Sequence, residues 1–256
     1  MLPPKYLTAS VLTLSLAALS GGEAASASRA ETASTVATAP VRLTGALSAT
    51  AWTPATIGGL QRNVFELALG AASCAVRSGS ISDLTTLTVI DYSRPSTEKR
   101  LWVFDVRTRE LLFEELVAHG SGSGDNMATA FSNDAESRQS SLGLFRTDEA
   151  YLGKNGYSLR LRGLDAGFND RAYDRAIVMH GAAYVSHEFA RSQGRLGRSW
   201  GCPALRAGIA REVIDTVKGG TGLVFAYYPD PAWLAASKFL GQCDAAPAAL
   251  SASSGL

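Results

Sequence analysis

Cys202 lies in the glycine-flanked run Arg195-Leu-Gly-Arg-Ser-Trp-Gly-Cys-Pro-Ala-Leu205, 22 residues after His180. Thiol and imidazole in that order are the parts of a nucleophile and its base. A cysteine with an ordinary pKa of about 8.5 is only a few per cent thiolate at neutral pH, so covalent catalysis needs an imidazole or another electropositive neighbour. The chain has three histidines, His119, His180 and His187, and all three precede Cys202. Papain-like peptidases place the cysteine first, so their arrangement is excluded by order alone. A zinc site from His119, His180 and Cys202 fits no standard spacing, and no metal or other cofactor is expected.

The elements that must position this pair are legible as patterns. Ile57, Leu60, Val64, Leu67, Ala71 and Cys74 form a three-four stripe, predicting a helix from about Ile57 to Ser78. β-branched and aromatic runs at Leu84 to Ser93, Arg100 to Val106, Leu111 to Val117, Leu159 to Leu164 and Leu223 to Tyr228 read as strands. Ala176 to Met179 is a short apolar strand that ends at His180-Gly181, while His119-Gly-Ser-Gly-Ser-Gly124 is a loop. Gly208 to Lys218 is a helix stopped by Gly219-Gly220, and Pro231 to Leu240 a short last one. Hairpin-connected strands with helices outside predict a mainly β, α+β architecture, an antiparallel sandwich or barrel-like core with peripheral helices.

Twenty-four Lys plus Arg against 23 Asp plus Glu leave a formal charge of +1, which excludes recognition of nucleic acid by bulk charge. No phosphate-binding loop suggests a nucleotide. Lys5, an apolar stretch from Tyr6 to Leu19 and the small residues Ala25-Ser26-Ala27 fit a signal peptide over residues 1–27. The stretch is shorter than the roughly 20 residues of a spanning helix, and no transmembrane segment is expected after its removal. In an exported chain, three cysteines leave at least one unpaired; Cys74 is either a buried small hydrophobe or the disulfide partner of Cys243, and Cys202 is odd in both cases.

Three segments in order, Ser140-Ser-Leu-Gly-Leu-Phe145, His180-Gly181 and Ser199-Trp-Gly-Cys202, resemble the murein L,D-transpeptidase catalytic family, over about Leu84 to Tyr228. Composition marks residues 28–53 as an Ala/Ser/Thr-rich flexible lead-in, and the resemblance places the catalytic domain with its N-terminal helix over 54–240, leaving 241–256 as a C-terminal tail. It implies peptidoglycan stem peptides as partners and an exported location, the periplasm or extracytoplasmic envelope. Cys202 would attack the third residue of a stem tetrapeptide and release D-alanine, His180 would serve as base and acid, and the carbonyl of Gly181 would orient the imidazole. Trp200, Gly201 and Cys202 would present oxyanion donors from a flexible stretch. Ser199, Arg198, Arg195 and Tyr184 would face the oxyanion or substrate, and His119 would lie near the site as a substrate or orienting group, whereas His187 reads as a surface residue. Most members carry arginine two residues after the cysteine where this chain has Ala204, so any carboxylate or carbonyl recognition would come from elsewhere, and Arg195 or Arg198 could substitute. An L,D-carboxypeptidase on the same acyl-enzyme path and a cell-wall binding protein are the alternatives.

Overall fold

The computed structural model describes residues 43–241 and 243. The expected signal peptide, the first part of the lead-in and most of the tail lie outside those residues. Short turns α1 (Leu43–Ala46) and α2 (Pro54–Ile57) lead into the 16-residue helix α3 (Arg62–Arg77). The helix expected from Ile57 is thus interrupted. Gly58-Gly59 break it because the side chains of Leu111 and Glu114 pack directly against their backbone, where a Cβ would come within 2.7 Å.

The strands are β1 (Thr86–Asp91), β2 (Leu101–Asp105), β3 (Glu110–Glu115), β4 (Val117–Ala118), β5 (Gly143–Gly153), β6 (Gly156–Gly163), β7 (Val178–Ala182), β8 (Ala204–Arg206) and β9 (Gly222–Tyr227). Helices α4 (His187–Gln193), α5 (Ala207–Val217) and α6 (Pro231–Ala236), with a 3-10 turn at Ala49–Ala51, complete the elements of the described residues. The sheet runs β3-β2-β1-β9-β5-β6-β7-β8-β4. Most pairs are antiparallel, but β1 with β9 and β7 with β8 are parallel, so the sheet is mixed. Its two edge strands, β3 and β4, are separated in the chain by Leu116 alone, which forces the sheet to curl until its edges nearly meet. Across that seam Arg206 donates to both carboxylate oxygens of Glu115 at 2.7 and 2.6 Å.

Residues 43–53 correct the expectation of a wholly flexible lead-in. Trp52 is buried, donates from Nε1 to the Ala46 carbonyl at 2.8 Å, and stacks edge-on against Phe65 and Phe104 at 5.0 and 5.6 Å. An indole of that size offsets the ordering of a short segment by its buried apolar area. Strand β5 had no signal in the sequence, since Arg146, Asp148 and Glu149 interrupt its apolar alternation. These charges sit at a register shift between Thr147 and Ala150, where Arg162 and Arg160 of β6 pair with Asp148 and Glu149.

Cys74 and Cys243 form a disulfide with Cα atoms 5.5 Å apart across 169 residues, so α3 and the start of the tail are tied together. Cys243→Ser is expected to lower the unfolding free energy by about 2–4 kcal/mol. The check is the denaturant midpoint under non-reducing conditions. A midpoint equal to that of the parent protein would contradict it.

Candidate active site

Parallel pairing of β7 with β8 aligns His180 with Ala204 and so brings Cys202, two residues earlier, beside the start of β7. There the Cys202 Sγ accepts from the Val178 amide at 3.4 Å and faces the Ala176 carbonyl at 3.8 Å. The His180 amide donates to the Pro203 carbonyl at 3.4 Å. Its Nδ1 lies 3.1 Å from the Gly181 carbonyl, which can only accept, so Nδ1 carries the proton and Nε2 is left as an acceptor. Gly181 in turn lets β7 lie against α5, since a Cβ there would come within 2.9 Å of Ala210.

Both groups are held neutral. Burial pushes the Cys202 thiol up, while the Val178 amide and the Arg175 charge draw it part of the way back. Burial pushes the His180 imidazole down, partly offset by the Gly181 carbonyl. No hydrogen bond joins Sγ to the imidazole among the described residues; the thiol is bonded to backbone.

The loop that carries Cys202 is pinned from several sides, which corrects the expectation of flexibility. Ser199 Oγ donates to the Cys202 carbonyl at 2.6 Å and accepts from the Gly201 amide at 3.1 Å. Ser140 Oγ donates to the Gly201 carbonyl at 3.1 Å and accepts from Gly120 at 3.0 Å. The Ser199 amide bonds the His119 carbonyl, and its carbonyl accepts from Ser121. Gly201 has φ +118°, where other residues are strained. Its amide, expected as an oxyanion donor, donates to Ser199 Oγ in this structure. The amides of Trp200 and Cys202 make no hydrogen bond among the described residues and remain available.

Gly120 is the wedge beneath this loop: a Cβ there would lie 2.2 Å from the Arg138 carbonyl and 2.8 Å from the Gly201 Cα. Backbone cannot yield as a side-chain tip can. Gly120→Ala is therefore expected to cost about 1–3 kcal/mol and to speed alkylation of the buried Cys202 as the loop opens. Thermal melts and alkylation kinetics together test this, and parent-like values in both would contradict it.

The remaining expected site residues fall in two groups. Trp200 is 74% exposed, and the half-buried Tyr184 lies close enough to Cys202 for the two to repel as anions; its phenol is pushed up to about 12, mainly by burial. His119 is turned into the core. It is 1% exposed, Nδ1 accepts from Arg100 at 2.7 Å, and Nε2 donates to the Gly124 carbonyl at 3.3 Å. Burial and then the Arg100 charge depress it to about 4, so it is a neutral strut under the loop. Arg198 is bonded to the Gly124 carbonyl and to Asp125, and Arg195 to the Leu196 carbonyl with Asp125 at 3.9 Å, so both are engaged within the protein. His187 is exposed at the start of α4. Ala204 is fully buried in a small apolar cluster with Ala118, Ala182 and Leu196, where an arginine has no room.

Arg175 was missed. It donates to the Ser132 and Gln139 carbonyls at 2.7 and 2.8 Å and to Ser141 and Ser137 Oγ at 2.6 and 3.2 Å. It thereby ties the 132–141 segment against the Cys202 loop. An arginine just before an apolar strand carries no periodic signal. Among the described residues no cluster of three His, Cys, Asp or Glu is placed to hold a metal, and no helix is long and apolar enough to cross a membrane.

The family model described as L,D-transpeptidase catalytic domain matches residues 57–227. Comparison with curated proteins gives no match. Among solved structures, an L,D-transpeptidase from Mycobacterium smegmatis is 14% identical with a TM-score of 0.35, covering 56% of this chain and 59% of that one. The helical cell shape determining protein Pgp2 from Campylobacter jejuni is 13% identical with a TM-score of 0.39, covering 64% and 56%. An L,D-transpeptidase from Stackebrandtia nassauensis is 15% identical with a TM-score of 0.34, covering 65% and 68%. The chain thus spans less than two thirds of the length of the first two. At such TM-scores these likenesses carry no weight beside the family match.

Proposed function

The chain belongs to the family of L,D-transpeptidase catalytic domains, its match running over residues 57–227, and from that premise we propose that it is a cysteine-dependent peptidoglycan L,D-transpeptidase of the cell envelope. The observation that carries the reading is the disposition of one free thiol beside a strand whose His180 holds its Nδ1 proton on the Gly181 carbonyl and leaves Nε2 as an acceptor.

In this reading the Cys202 thiol turns from the Ala176 carbonyl and gives its proton to His180 Nε2. Resting enzymes often hold such contacts long until substrate binds. The sulfur adds to the carbonyl of the third residue of a stem tetrapeptide, and the free amides of Trp200 and Cys202 receive the developing oxyanion. Collapse breaks the C–N bond; His180 returns the proton to the departing D-alanine amine, and a thioester on Cys202 results. An amine of a second stem then attacks the thioester, loses its proton to His180 and displaces the thiolate, giving a three-to-three cross-link. Water in place of that amine gives carboxypeptidase activity.

Incubation of the purified protein with disaccharide-tetrapeptide, followed by mass analysis, tests the proposal. The expected product is a cross-linked dimer that has lost one D-alanine. Tripeptide alone moves the function to an L,D-carboxypeptidase, and unchanged substrate with a folded, reduced protein supports a binding role instead.

A further inference from the structure

The charged side chains around the Cys202 loop differ in what they are free to do. Arg195 and Arg198 are engaged with backbone carbonyls and Asp125, Arg206 with Glu115, and Arg175 with four oxygens of the 132–141 segment. Arg138 is the exception. Its guanidinium makes no hydrogen bond or ion pair among the described residues and lies 5.0 Å from the ring centroid of Trp200. Both line a cleft of about 720 Å³ together with Arg175, Glu136 and Asp174.

The backbone is built to put it there. Arg138 has φ +55° and Glu136 φ +59°, left-handed values that cost a non-glycine residue roughly 1–3 kcal/mol each and persist only where the surroundings impose them. What imposes Arg138 is its carbonyl, which accepts from Gly122 at 2.9 Å and is wedged against Gly120. The same glycine supports Gly201. Arg138 is thus fixed to the nucleophile loop through a shared backbone contact, and stacking on Trp200 leaves the N–H edge of the guanidinium open. That edge matches a carboxylate with two parallel hydrogen bonds.

We propose that Arg138, held over Trp200, is the residue that grips a substrate carboxylate and takes over the task for which Ala204 has neither charge nor space. This rests on the transpeptidase reading of the Cys202 site. Where the third residue of the stem is a diaminopimelate, the two residues that flank the scissile bond each carry such a group, the terminal carboxylate of D-alanine and the side-chain carboxylate of the third residue, and the assignment is to one of these two.

The experiment compares the parent protein, Arg138→Gln and Arg138→Lys on the free-acid tetrapeptide and on two carboxamides, one amidated at the D-alanine terminus and one at the third-residue side chain. Arg138→Gln is expected to lower kcat/KM on the free acid by about 10- to 100-fold, mostly through KM, and Arg138→Lys by less. On the carboxamide of the gripped group, parent and Arg138→Gln should be equal, which says which carboxylate it is. Equal losses on all three peptides, or no loss, would overturn the assignment while leaving the transpeptidase reading intact. If the parent turns over none of them, that reading fails on its own. Titration of the three peptides against Trp200 fluorescence in the parent and Arg138→Gln then decides the carboxylate grip. A free-acid preference lost in the variant supports it, and an identical preference overturns it.

Discussion

Cys202→Ala is expected to bring release of D-alanine to background, a loss of about 10⁴-fold or more, with the fold intact. No other described cysteine is free to take over, since Cys74 and Cys243 are bonded to each other. The structural cost is small. Removal of one buried sulfur forfeits a weak acceptor for the Val178 amide and leaves a void of about one atom, on the order of 1–2 kcal/mol. The loop is held by Ser199, Ser140 and Gly120 independently of the thiol, so substrate should still bind. Mass analysis of products beside a thermal melt is the measurement. Residual turnover within tenfold of the parent would remove Cys202 from the mechanism.

The second large effect separates His180 from the thiol it serves. Burial raises the thiol pKa and lowers that of the imidazole, so at neutral pH the resting pair is thiol and neutral imidazole, not an ion pair. Thiolate therefore forms only as pH rises past the ordinary value of about 8.5, and alkylation of the free enzyme should be slow at pH 7 and climb above that value. Because Sγ is bonded to backbone and not to the imidazole, His180→Ala should leave that alkylation limb nearly where it was. Acyl transfer from the tetrapeptide should nevertheless fall by about 10²- to 10⁴-fold, since the base and acid are gone. An alkylation pKa well below 7 that vanishes in His180→Ala would show an ion pair and contradict this resting state. The ordinary or raised thiol titration thus does not distinguish an enzyme from a binder here; turnover does.

Several parts of the site were readable from the chain because they depend on rare residue types or on near neighbours. With three histidines, all before Cys202, the base had few candidates. The contact of His180 with the Gly181 carbonyl joins adjacent residues, and the glycines around Cys202 announce a loop. The helical stripe around Val64 and the strands around Val89 and Val224 follow from local periodicity, and all three residues are buried.

Other parts depended on which segments meet. The resemblance implied His119 as a substrate or orienting group, and Arg100, 19 residues earlier, captures its ring from within the core. The roles open to Arg195, Arg198, Arg175 and Arg138 differ only through partners such as Asp125 and the 132–141 segment, and spacing says nothing of those pairings. The sequence left Cys74 either a buried hydrophobe or the partner of Cys243, and the packing of α3 beside Cys243 selects the bond. The sequence by itself determined the family's nucleophile and base candidates and most of the strands, because residue type and local periodicity carry that information. Tertiary structure alone decided which amides are free, which arginine beside the Cys202 loop is unpaired among the described residues and how the sheet closes, since each depends on backbone approach between segments far apart in the chain.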